Sequence, residues 1–270
     1  MTGDALSIGG LLRDWRGRRR LSQLALAVDA EVSQRHLSFI ESGRAAPSRE
    51  MVLRLAERLA VPLRERNVLL VAAGYAPVYR ERGRDDAALK AAGEAVGAIL
   101  NGHRPHPALA FDRHWTLRSA NTPATRLMAG AAATLLEPPV NVLRLSLHPD
   151  GLAPRIANFR DWRDHVLTRL ERQIEASADA VLVGLRDEFK SYPVPPGARP
   201  GRPAGAAARD AVAVPLELLT EAGTLRFLST TTVFGTALDI SLSELAVECF
   251  FPADEGTAAV MRALDEAARG

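Results

Sequence analysis

The sequence predicts an α+β protein in which an all-α N-terminal domain precedes a larger α+β domain built on an antiparallel sheet. A length of 270 residues suggests two domains of about 150 residues each. Over roughly the first 75 residues, the apolar positions follow helical spacing alone. Beyond them, two strand-like runs, several helices and three further strand-like runs are typical of one antiparallel sheet that carries helices.

Five short helices with tight connections are expected in the N-terminal domain. The first is marked by Ile8, Leu11, Leu12 and Trp15, which follow i, i+3, i+4, i+7 spacing. The inward residues expected for the next four helices are Leu26, Ala27 and Ala30, then Leu37 and Ile40, then Val52, Leu55, Ala56 and Leu59, then Leu63, Val68, Leu69 and Ala72. Such faces predict one compact helical core.

The ends of these helices carry their own signals. Ser22 and Ser33 are N-cap candidates, because a serine hydroxyl accepts a hydrogen bond from the free amides of a first helical turn. Gly43 suits the left-handed conformation that ends a helix. Pro47-Ser48 and Pro62 open the fourth and fifth helices.

The second and third helices, joined by a short turn, predict a helix-turn-helix. The spacing L-S-Q-x-x-L-A…V-S-x-x-x-L-S-x-I-E-x-G-R, within residues 6–75, resembles the Xre family of phage-repressor-type DNA-binding domains. That resemblance implies a lambda-repressor-like fold and double-stranded DNA as partner. Glu31 departs from the pattern, because the family often has glycine there, and a left-handed Glu costs about 1 kcal/mol. Leu24 and Val28 lie on the usually polar side of the second helix and are candidates for packing on the second domain or a partner subunit.

The third helix carries the candidates for base recognition, because side chains near the N-terminus of a helix in the major groove reach base edges. Gln34 and Arg35 occupy these positions; arginine favours guanine and glutamine favours adenine. Phe39 is a candidate either for a thymine methyl group or for the core. The full predicted DNA-contacting set is Arg16, Gln23, Ser33, Gln34, Arg35, His36, Ser38, Phe39, Arg44 and Arg49.

The resemblance also suggests roles for residues around that helix. It assigns Gln23 to a phosphate and pairs Arg16 with Glu41, which bridges the first helix to the third. Arg44 and Arg49 are further phosphate candidates, and His36 is equally compatible with a phosphate contact and with plain exposure to solvent.

The charge distribution agrees with a nucleic-acid-binding N-terminal domain. The net charge of +2 conceals 15 Arg against 9 acidic residues in positions 1–84, a balance of +6, and a balance of −4 in the remaining 186 residues. A basic module attached to an acidic body is typical of a nucleic-acid binder with a second domain. An arginine-rich composition inherited from a GC-rich genome would look the same.

Composition also limits the class of protein. Cys249 is the single cysteine, so a disulfide framework and a four-cysteine zinc site are excluded, and we expect it to be a small buried hydrophobic residue. The N-terminus lacks the pattern of a signal peptide, and no run of about 18 uncharged apolar residues predicts a membrane span. We therefore expect a cytoplasmic protein.

The second domain is expected to follow a charged hinge, RERGRDDAALK, and an alanine-rich helix over about 87–101. PALAFDRHWTLRSAN predicts two strands joined by a turn at Asp112-Arg113, and Asn121 starts a helix that runs to Met128. Further helices are expected near 140–147, 159–176, 179–190 and 255–268, a loop over 191–210, and strands within AVAVPLELLT, TLRFLSTTTVFG and LSELAVECFF.

Catalytic and metal-binding patterns are missing from the sequence. It contains no GxSxG, HExxH, P-loop or GxGxxG pattern, so no catalytic residue is predicted. His103 and His106 are spaced like a metal-binding pair, but Pro105 between them argues against a helix and carboxylates are lacking nearby. We expect no metal site.

The runs PALAFDRHWTLRSAN, LHPDGLAPRIANFRDWR and FLSTTTVFGTALDISLSELAVECFFPAD resemble the MmyB-like ligand-binding domain over about 103–255. That domain follows an Xre-type helix-turn-helix in many actinobacterial and proteobacterial regulators. The resemblance implies a PAS-like fold and an apolar pocket for a fatty acid or similar ligand, with no other cofactor. Ligand-binding candidates are Trp115, Arg155, Asn158, Trp162, His165, Thr230 and Phe234.

Arg155 is the best single candidate for a ligand carboxylate, because a guanidinium binds carboxylates through two parallel hydrogen bonds. The alternative is a structural ion pair with Asp161 or Asp164. The predicted domains are residues 1–79, a linker helix region over 80–102, and residues 103–270.

The hypothesis that combines these features is a homodimeric transcription regulator that reads a palindromic operator and senses a small apolar or fatty-acid-like ligand. The alternative keeps DNA binding but makes the C-terminal domain a dimerisation or protein-interaction module without a small-molecule ligand. An enzyme with a DNA-targeting domain is disfavoured, because no nucleophile and base are placed together in the sequence.

Overall fold

The computed structural model describes residues 7–82, 86–201, 214–234 and 239–267. The chain forms two compact units, the first made mainly of residues up to 82 and the second of most residues beyond 83. Part of the loop predicted over 191–210, the start of the run AVAVPLELLT and the end of the helix predicted to reach 268 lie outside the described residues.

The first unit consists of five helices, as predicted. They are α1 (Ile8–Arg18), α2 (Gln23–Asp29), α3 (Gln34–Glu41), α4 (Arg49–Arg58) and α5 (Leu63–Ala72). The hydroxyls of Ser7, Ser22, Ser33 and Ser48 accept hydrogen bonds from backbone amides in the first turns of α1, α2, α3 and α4. Ser22, Ser33 and Ser48 thus begin α2, α3 and α4 where the sequence predicts, and Ser7 is a further cap, at the start of α1.

One buried core holds the first unit together. Its fully buried members include Leu12, Leu26, Leu37, Ile40, Leu55 and Leu59. The predicted inner face of α5 is partly wrong, because Val68 is 46% exposed and Leu70 is buried beside Leu69. The helix is therefore turned by about one residue relative to the predicted stripe, and Leu69 and Leu70 share the core.

Two tight connections adopt the left-handed conformation that the sequence suggests. Gly43 ends α3 with a φ of 73°, and Glu31, in the turn between α2 and α3, has a φ of 57°. The structure thus confirms that a glutamate occupies the position where a glycine fits without strain. Leu24 and Val28 of α2 are exposed, and their packing on another surface stays a prediction.

The second unit is an α+β domain around a five-stranded sheet. Its helices are α6 (Ala87–Gly102), α7 (Thr122–Met128), α8 (Ala133–Leu136), α9 (Val142–Leu147), α10 (Phe159–Ser177), α11 (Ala180–Ser191), α12 (Ile240–Ser243) and α13 (Glu255–Glu266). Its strands are β1 (Ala108–Phe111), β2 (Leu117–Ala120), β3 (Leu216–Thr220), β4 (Gly223–Val233) and β5 (Ala246–Pro252). The helices predicted around 140–147, 159–176 and 179–190 are confirmed to within a few residues.

All pairings in the sheet are antiparallel, and the strands lie in the order β2-β1-β5-β4-β3. With the helices inserted between β2 and β3, this is a PAS-like arrangement. The run LSELAVECFF is strand only from Ala246, because its first residues belong to the short helix α12. The sequence-based assignment of the whole run to one strand was therefore too long.

The two faces of the sheet pack against different helices. The inner face carries Leu109, Phe111 and Ala246, which join the core formed with α9, α10 and α11. The outer face carries Ala108 and Val247, which pack against α6. This alternation follows from the two-residue period of a strand. Among the described residues, no helix is long and apolar enough to span a membrane.

Candidate functional site

Helix α3 presents a polar edge from a rigid base. Leu37 and Ile40 are fully buried and anchor the helix in the core. The Ser33 hydroxyl caps its N-terminus by accepting a hydrogen bond from the His36 amide at 3.1 Å. The side chains from Ser33 to His36 are exposed, including the predicted base-reading pair of Gln34 and Arg35, and Ser38 is half-buried.

An ion pair fixes α3 against α1. Arg16 Nε and Nη2 donate to the two carboxylate oxygens of Glu41 at 2.7 and 2.9 Å. Gln23 Nε2 donates to the same carboxylate at 2.8 Å, and Arg16 Nη1 donates to the Leu21 carbonyl. The predicted link between the first and third helices is therefore present in the structure. We call Arg16, Gln23 and Glu41 the clamp.

The clamp is electrostatically stable because its charges are paired inside the protein. Burial raises the pKa of the Glu41 carboxyl, but the hydrogen bonds from Arg16 and Gln23 outweigh burial and hold the net pKa below its ordinary value. The hydrogen bond to Glu41 raises the pKa of Arg16. Gln23 belongs to the clamp in this structure, and its phosphate contact stays a prediction.

Phe39 lies beside the exposed residues 33–36, which we call the reading edge for their predicted role, and not in the core. It is half-buried and does not belong to the buried cluster of the first unit. The Arg35 guanidinium lies over its ring, with Cζ 5.4 Å from the ring centroid, within the range of a cation–π contact. Arg44, after α3, and Arg49, the first residue of α4, are both exposed. Of the two alternatives for Phe39, the core is therefore excluded.

The second unit encloses a cavity of about 90 Å³ between the inner face of the sheet and helices α9 and α10. Most of its wall is apolar, and the aliphatic and phenyl side chains in it include Leu109, Leu143, Leu145, Val166, Leu216 and Phe250. Met128 from α7 also lines it. An apolar cavity with a few converging polar groups is the usual form of a small-molecule site.

Two tryptophans of the wall are held in place by hydrogen bonds. Trp162 Nε1 donates to Ser146 Oγ at 2.9 Å, and the His165 ring stacks on the Trp162 ring with centroids 5.6 Å apart. Trp115 Nε1 donates to Gln173 Oε1 at 2.9 Å. Because both indole N–H groups have partners, their rings form a fixed wall of the cavity.

An ion pair between half-buried Arg169 and buried Glu248 forms the polar end of this cavity. Arg169 Nη1 donates to the two carboxylate oxygens of Glu248 at 3.1 and 3.3 Å. Arg169 Nη2 donates to Thr231 Oγ1 at 2.6 Å, and its Cζ lies 4.4 Å from the Trp115 ring centroid. Burial lowers the pKa of His165, and the charge of Arg169 lowers it further, so its imidazole is neutral near pH 7.

Comparison with known protein families gives two matches. A helix-turn-helix domain model matches residues 7–69, and the model of the MmyB-like transcription regulator ligand binding domain matches residues 92–264, well over half of the chain. The chain belongs to the MmyB-like transcription regulators. No curated protein matches the chain in a sequence search. A DNA-binding helix-turn-helix followed by a ligand-binding domain makes this protein a transcription regulator.

Three of the predicted ligand-binding residues of this MmyB-like regulator line the cavity and four do not. Trp115, Trp162 and His165 are part of the wall. Arg155 instead donates to the carbonyls of Leu127, Ala129 and Leu219, so it ties loops together. These three acceptors are backbone atoms and not the aspartate carboxylates of the alternative prediction. Asn158 bonds the backbone at Pro215 and Glu217.

Thr230 and Phe234 are the other two predicted residues that do not line the cavity. Thr230 pairs with Cys249 and is exposed on the outer face, whereas its neighbour Thr231 pairs with Glu248 on the inner face. Phe234 packs with the cluster between the outer face and α6. The strand-like pattern of TLRFLSTTTVFG could not tell which of the threonines faces inward.

Sequence reasoning missed Arg169 and Glu248, although both left a signal. Trp162, His165, Val166 and Arg169 follow i, i+3, i+4, i+7 spacing and therefore share one face of α10. Glu248 lies at an inward position of an otherwise apolar strand. A charged residue at such a position indicates a buried partner or a functional site.

The remaining candidates for chemistry have structural surroundings. Cys249 is half-buried, less than expected, and burial followed by the charge of Glu248 raises the pKa of its thiol. His103 Nε2 lies 2.9 Å from the Phe250 carbonyl. Within the described ranges, no three His, Cys, Asp or Glu side chains come together in a way that could hold a metal ion.

Proposed function

We propose that this transcription regulator binds a palindromic operator as a homodimer through α3, and that its C-terminal domain takes up a small apolar, fatty-acid-like ligand in the cavity. The observation that carries the proposal is the combination of an exposed reading edge on a clamped helix with an apolar cavity in a separate unit. The first feature supports DNA recognition and the second supports control by a ligand.

The DNA-binding part rests on the chemistry of the exposed edge. Gln34 and Arg35 lie at the N-terminus of α3, where side chains in the major groove reach base edges. Arg44 and Arg49 supply positive charge for phosphates on either side of the connection between α3 and α4. His36 and Ser38 have the exposure and position for further contacts.

The homodimer follows from the size of the reading element. One helix such as α3 reads one half-site, and specific regulators of this type combine two half-sites related by a two-fold axis. Selection of binding sites from random DNA should therefore enrich two inverted half-sites with centres about 34 Å apart. An enriched site without inverted symmetry would contradict the homodimer and leave the DNA contact itself intact.

The ligand-binding part rests on the wall of the cavity and requires some movement of it. Its volume of about 90 Å³ is below that of the roughly 150 Å³ apolar cavity known to bind benzene, so a longer chain must displace lining side chains. Met128 is suited to this, because an unbranched thioether side chain adapts to irregular space. Ligand control then follows from unequal affinity for the open and closed cavities.

Lipid extraction of the purified full-length protein, followed by mass spectrometry, tests ligand uptake. We expect a bound apolar chain in the parent protein and its loss in Val166→Phe, which places a larger side chain in the wall. Val181→Phe, the same change at an exposed position of α11, is the control and should keep the ligand. An empty parent protein that also takes up no added alkyl chain would contradict ligand binding.

One observation favours the second candidate, a C-terminal domain that acts as a dimerisation module without a ligand. Leu228 of β4 and Phe251 of β5 are register partners on the outer face and are 39% and 43% exposed. Sedimentation of the parent protein and of Phe251→Ser would show whether this pair holds two copies together. Loss of dimers in the variant, together with an empty cavity in the parent, would favour this candidate.

A further inference from the structure

The two charged side chains that line the polar end of the cavity, Arg169 and Glu248, compensate each other. Glu248 is 7% exposed and has both carboxylate oxygens on Arg169, and Arg169 is itself 31% exposed. Thr231 and the Trp115 ring cover two further sides of the guanidinium. The positive charge that would attract a carboxylate is therefore already compensated inside the protein.

The same end still offers hydrogen bonds. Ser146 Oγ accepts from Trp162, which leaves its hydroxyl proton to donate. Neither ring nitrogen of His165 has a hydrogen-bond partner within the described residues, and a neutral imidazole provides one donor and one acceptor. Arg169 has five N–H donors and uses Nη1 and Nη2 for Glu248 and Thr231, so further donors of the guanidinium remain.

From this charge balance we infer that the cavity selects an apolar chain whose polar head is an uncharged oxygen group, such as a hydroxyl, aldehyde, ester or amide, over a chain with a carboxylate head. The inference rests on the proposed uptake of an apolar ligand and specifies its head group. Ser146, His165 and Arg169 are the lining residues with donors available to the neutral oxygen, and the apolar wall takes the chain.

A carboxylate would meet two obstacles at the same place. If it accepted from Arg169, it would share one guanidinium with Glu248, and two carboxylates around one cation in a partly buried site repel each other. The site as a whole would then hold an uncompensated negative charge, which is costly away from water. A proton taken up by His165 would compensate it, and the charge of Glu248 favours that proton, but burial and the charge of Arg169 outweigh this effect and hold the pKa of His165 below its ordinary value.

The test compares two chains of equal length that differ in head charge. Full-length protein, freed of copurified lipid, is titrated at pH 8 with 1-decanol and with decanoate, and binding is read from the emission of Trp115 and Trp162 in the cavity wall. We expect 1-decanol to bind at least about tenfold more tightly than decanoate. Decanoate binding as tightly as 1-decanol, or more tightly, overturns the inference while it supports the proposed uptake of apolar chains. Binding of neither chain overturns both.

A charge-neutral variant of the carboxylate tests the reason for the preference. Glu248→Gln leaves Arg169 without its counter-charge, so the affinity for decanoate should rise about tenfold while that for 1-decanol changes little. Glu221→Gln, the same change at an exposed turn between β3 and β4, should alter neither affinity. Unchanged decanoate affinity in folded Glu248→Gln overturns the role given to Glu248. If Glu248→Gln does not fold, the comparison of the two chains in the parent protein decides the inference.

Discussion

Replacing Gly9 by alanine should displace the DNA-reading helix without touching any DNA-facing side chain. Gly9 lies in α1 where this helix crosses α3, and a Cβ atom there would lie 2.5 Å from the Ile40 carbonyl oxygen and 2.8 Å from that of Glu41. Both atoms are backbone, so no side chain can rotate out of the way. To restore an ordinary contact of 3.4 Å, the Ile40 carbonyl must move by about 0.9 Å.

The expected cost follows from two opposing terms. Overpacking of a well-filled core costs about 1–3 kcal/mol, and a backbone obstacle belongs at the upper end of that range. Alanine has a better helix propensity than glycine by up to about 1 kcal/mol, which offsets part of it. We therefore expect Gly9→Ala to lower the free energy of unfolding of the first unit by about 2 kcal/mol.

Gly17→Ala is the matched control on the same helix. No atom lies within 4 Å of the Cβ position at Gly17, so only the propensity term applies, and the variant should be more stable by up to about 1 kcal/mol. Hydrogen-exchange mass spectrometry of the full-length protein reads the protection of peptides from α1 and α3 directly. Gly9→Ala should lose protection in α3 and Gly17→Ala should not.

A second readout joins the displacement to function. Glu41 and its clamp lie at the C-terminal end of α3, so a shift of this helix end tilts the reading edge away from its geometry on DNA. We expect Gly9→Ala to bind selected DNA about tenfold more weakly and Gly17→Ala to bind like the parent. Equal protection of α3 in the two variants, or a Gly17→Ala variant as unstable as Gly9→Ala, would refute the role given to this helix crossing.

Three further outcomes test separate parts of the structure. Arg35→Ala should cost about 1–3 kcal/mol of binding to a selected operator in a mobility-shift titration, whereas Arg58→Ala at the far end of α4 should cost little; equal losses would contradict base reading. Asn121 is buried and makes four hydrogen bonds, to the backbone of α6, α7, β1 and the chain before β1. In urea unfolding, Asn121→Ala should therefore lower the free energy of unfolding by about 3 kcal/mol, whereas Asn101→Ala, at an exposed position, should not lower it. Burial lowers the pKa of His165 from 6.5, so the unfolded chain binds a proton more readily than the folded chain, and stability should fall as pH drops below about 6.5. In urea unfolding, the loss of stability from pH 7.5 to pH 5.5 should be smaller for His165→Gln than for the parent.

The sequence by itself determined the helical N-terminal domain almost completely. Its caps, its left-handed turns and most of its core are set by neighbours three or four residues apart, and such local spacing is visible without coordinates. The prediction that Val68 faces the core was wrong and shows the limit of local spacing. Leu69 and Leu70 are adjacent, and only contact with the other helices decides which face of α5 is buried.

The sequence also determined which helix exposes the residues proposed to read DNA. Gln34 and Arg35 follow a serine cap and precede buried residues at helical spacing, so their exposure could be predicted. The stacking of Arg35 on Phe39 could not be predicted, because a phenylalanine at that spacing was equally compatible with the core and with the exposed edge.

The composition of the cavity was decided by tertiary structure. Arg169 and Glu248 are 79 residues apart and meet only when α10 packs on β5. Whether Thr230 or Thr231 faces inward depends on the register of β4 with β5, and one residue of difference reverses the face. Local spacing therefore sufficed to place α3 and its exposed residues, whereas the two charges in the cavity wall come from a helix and a strand that are distant in sequence.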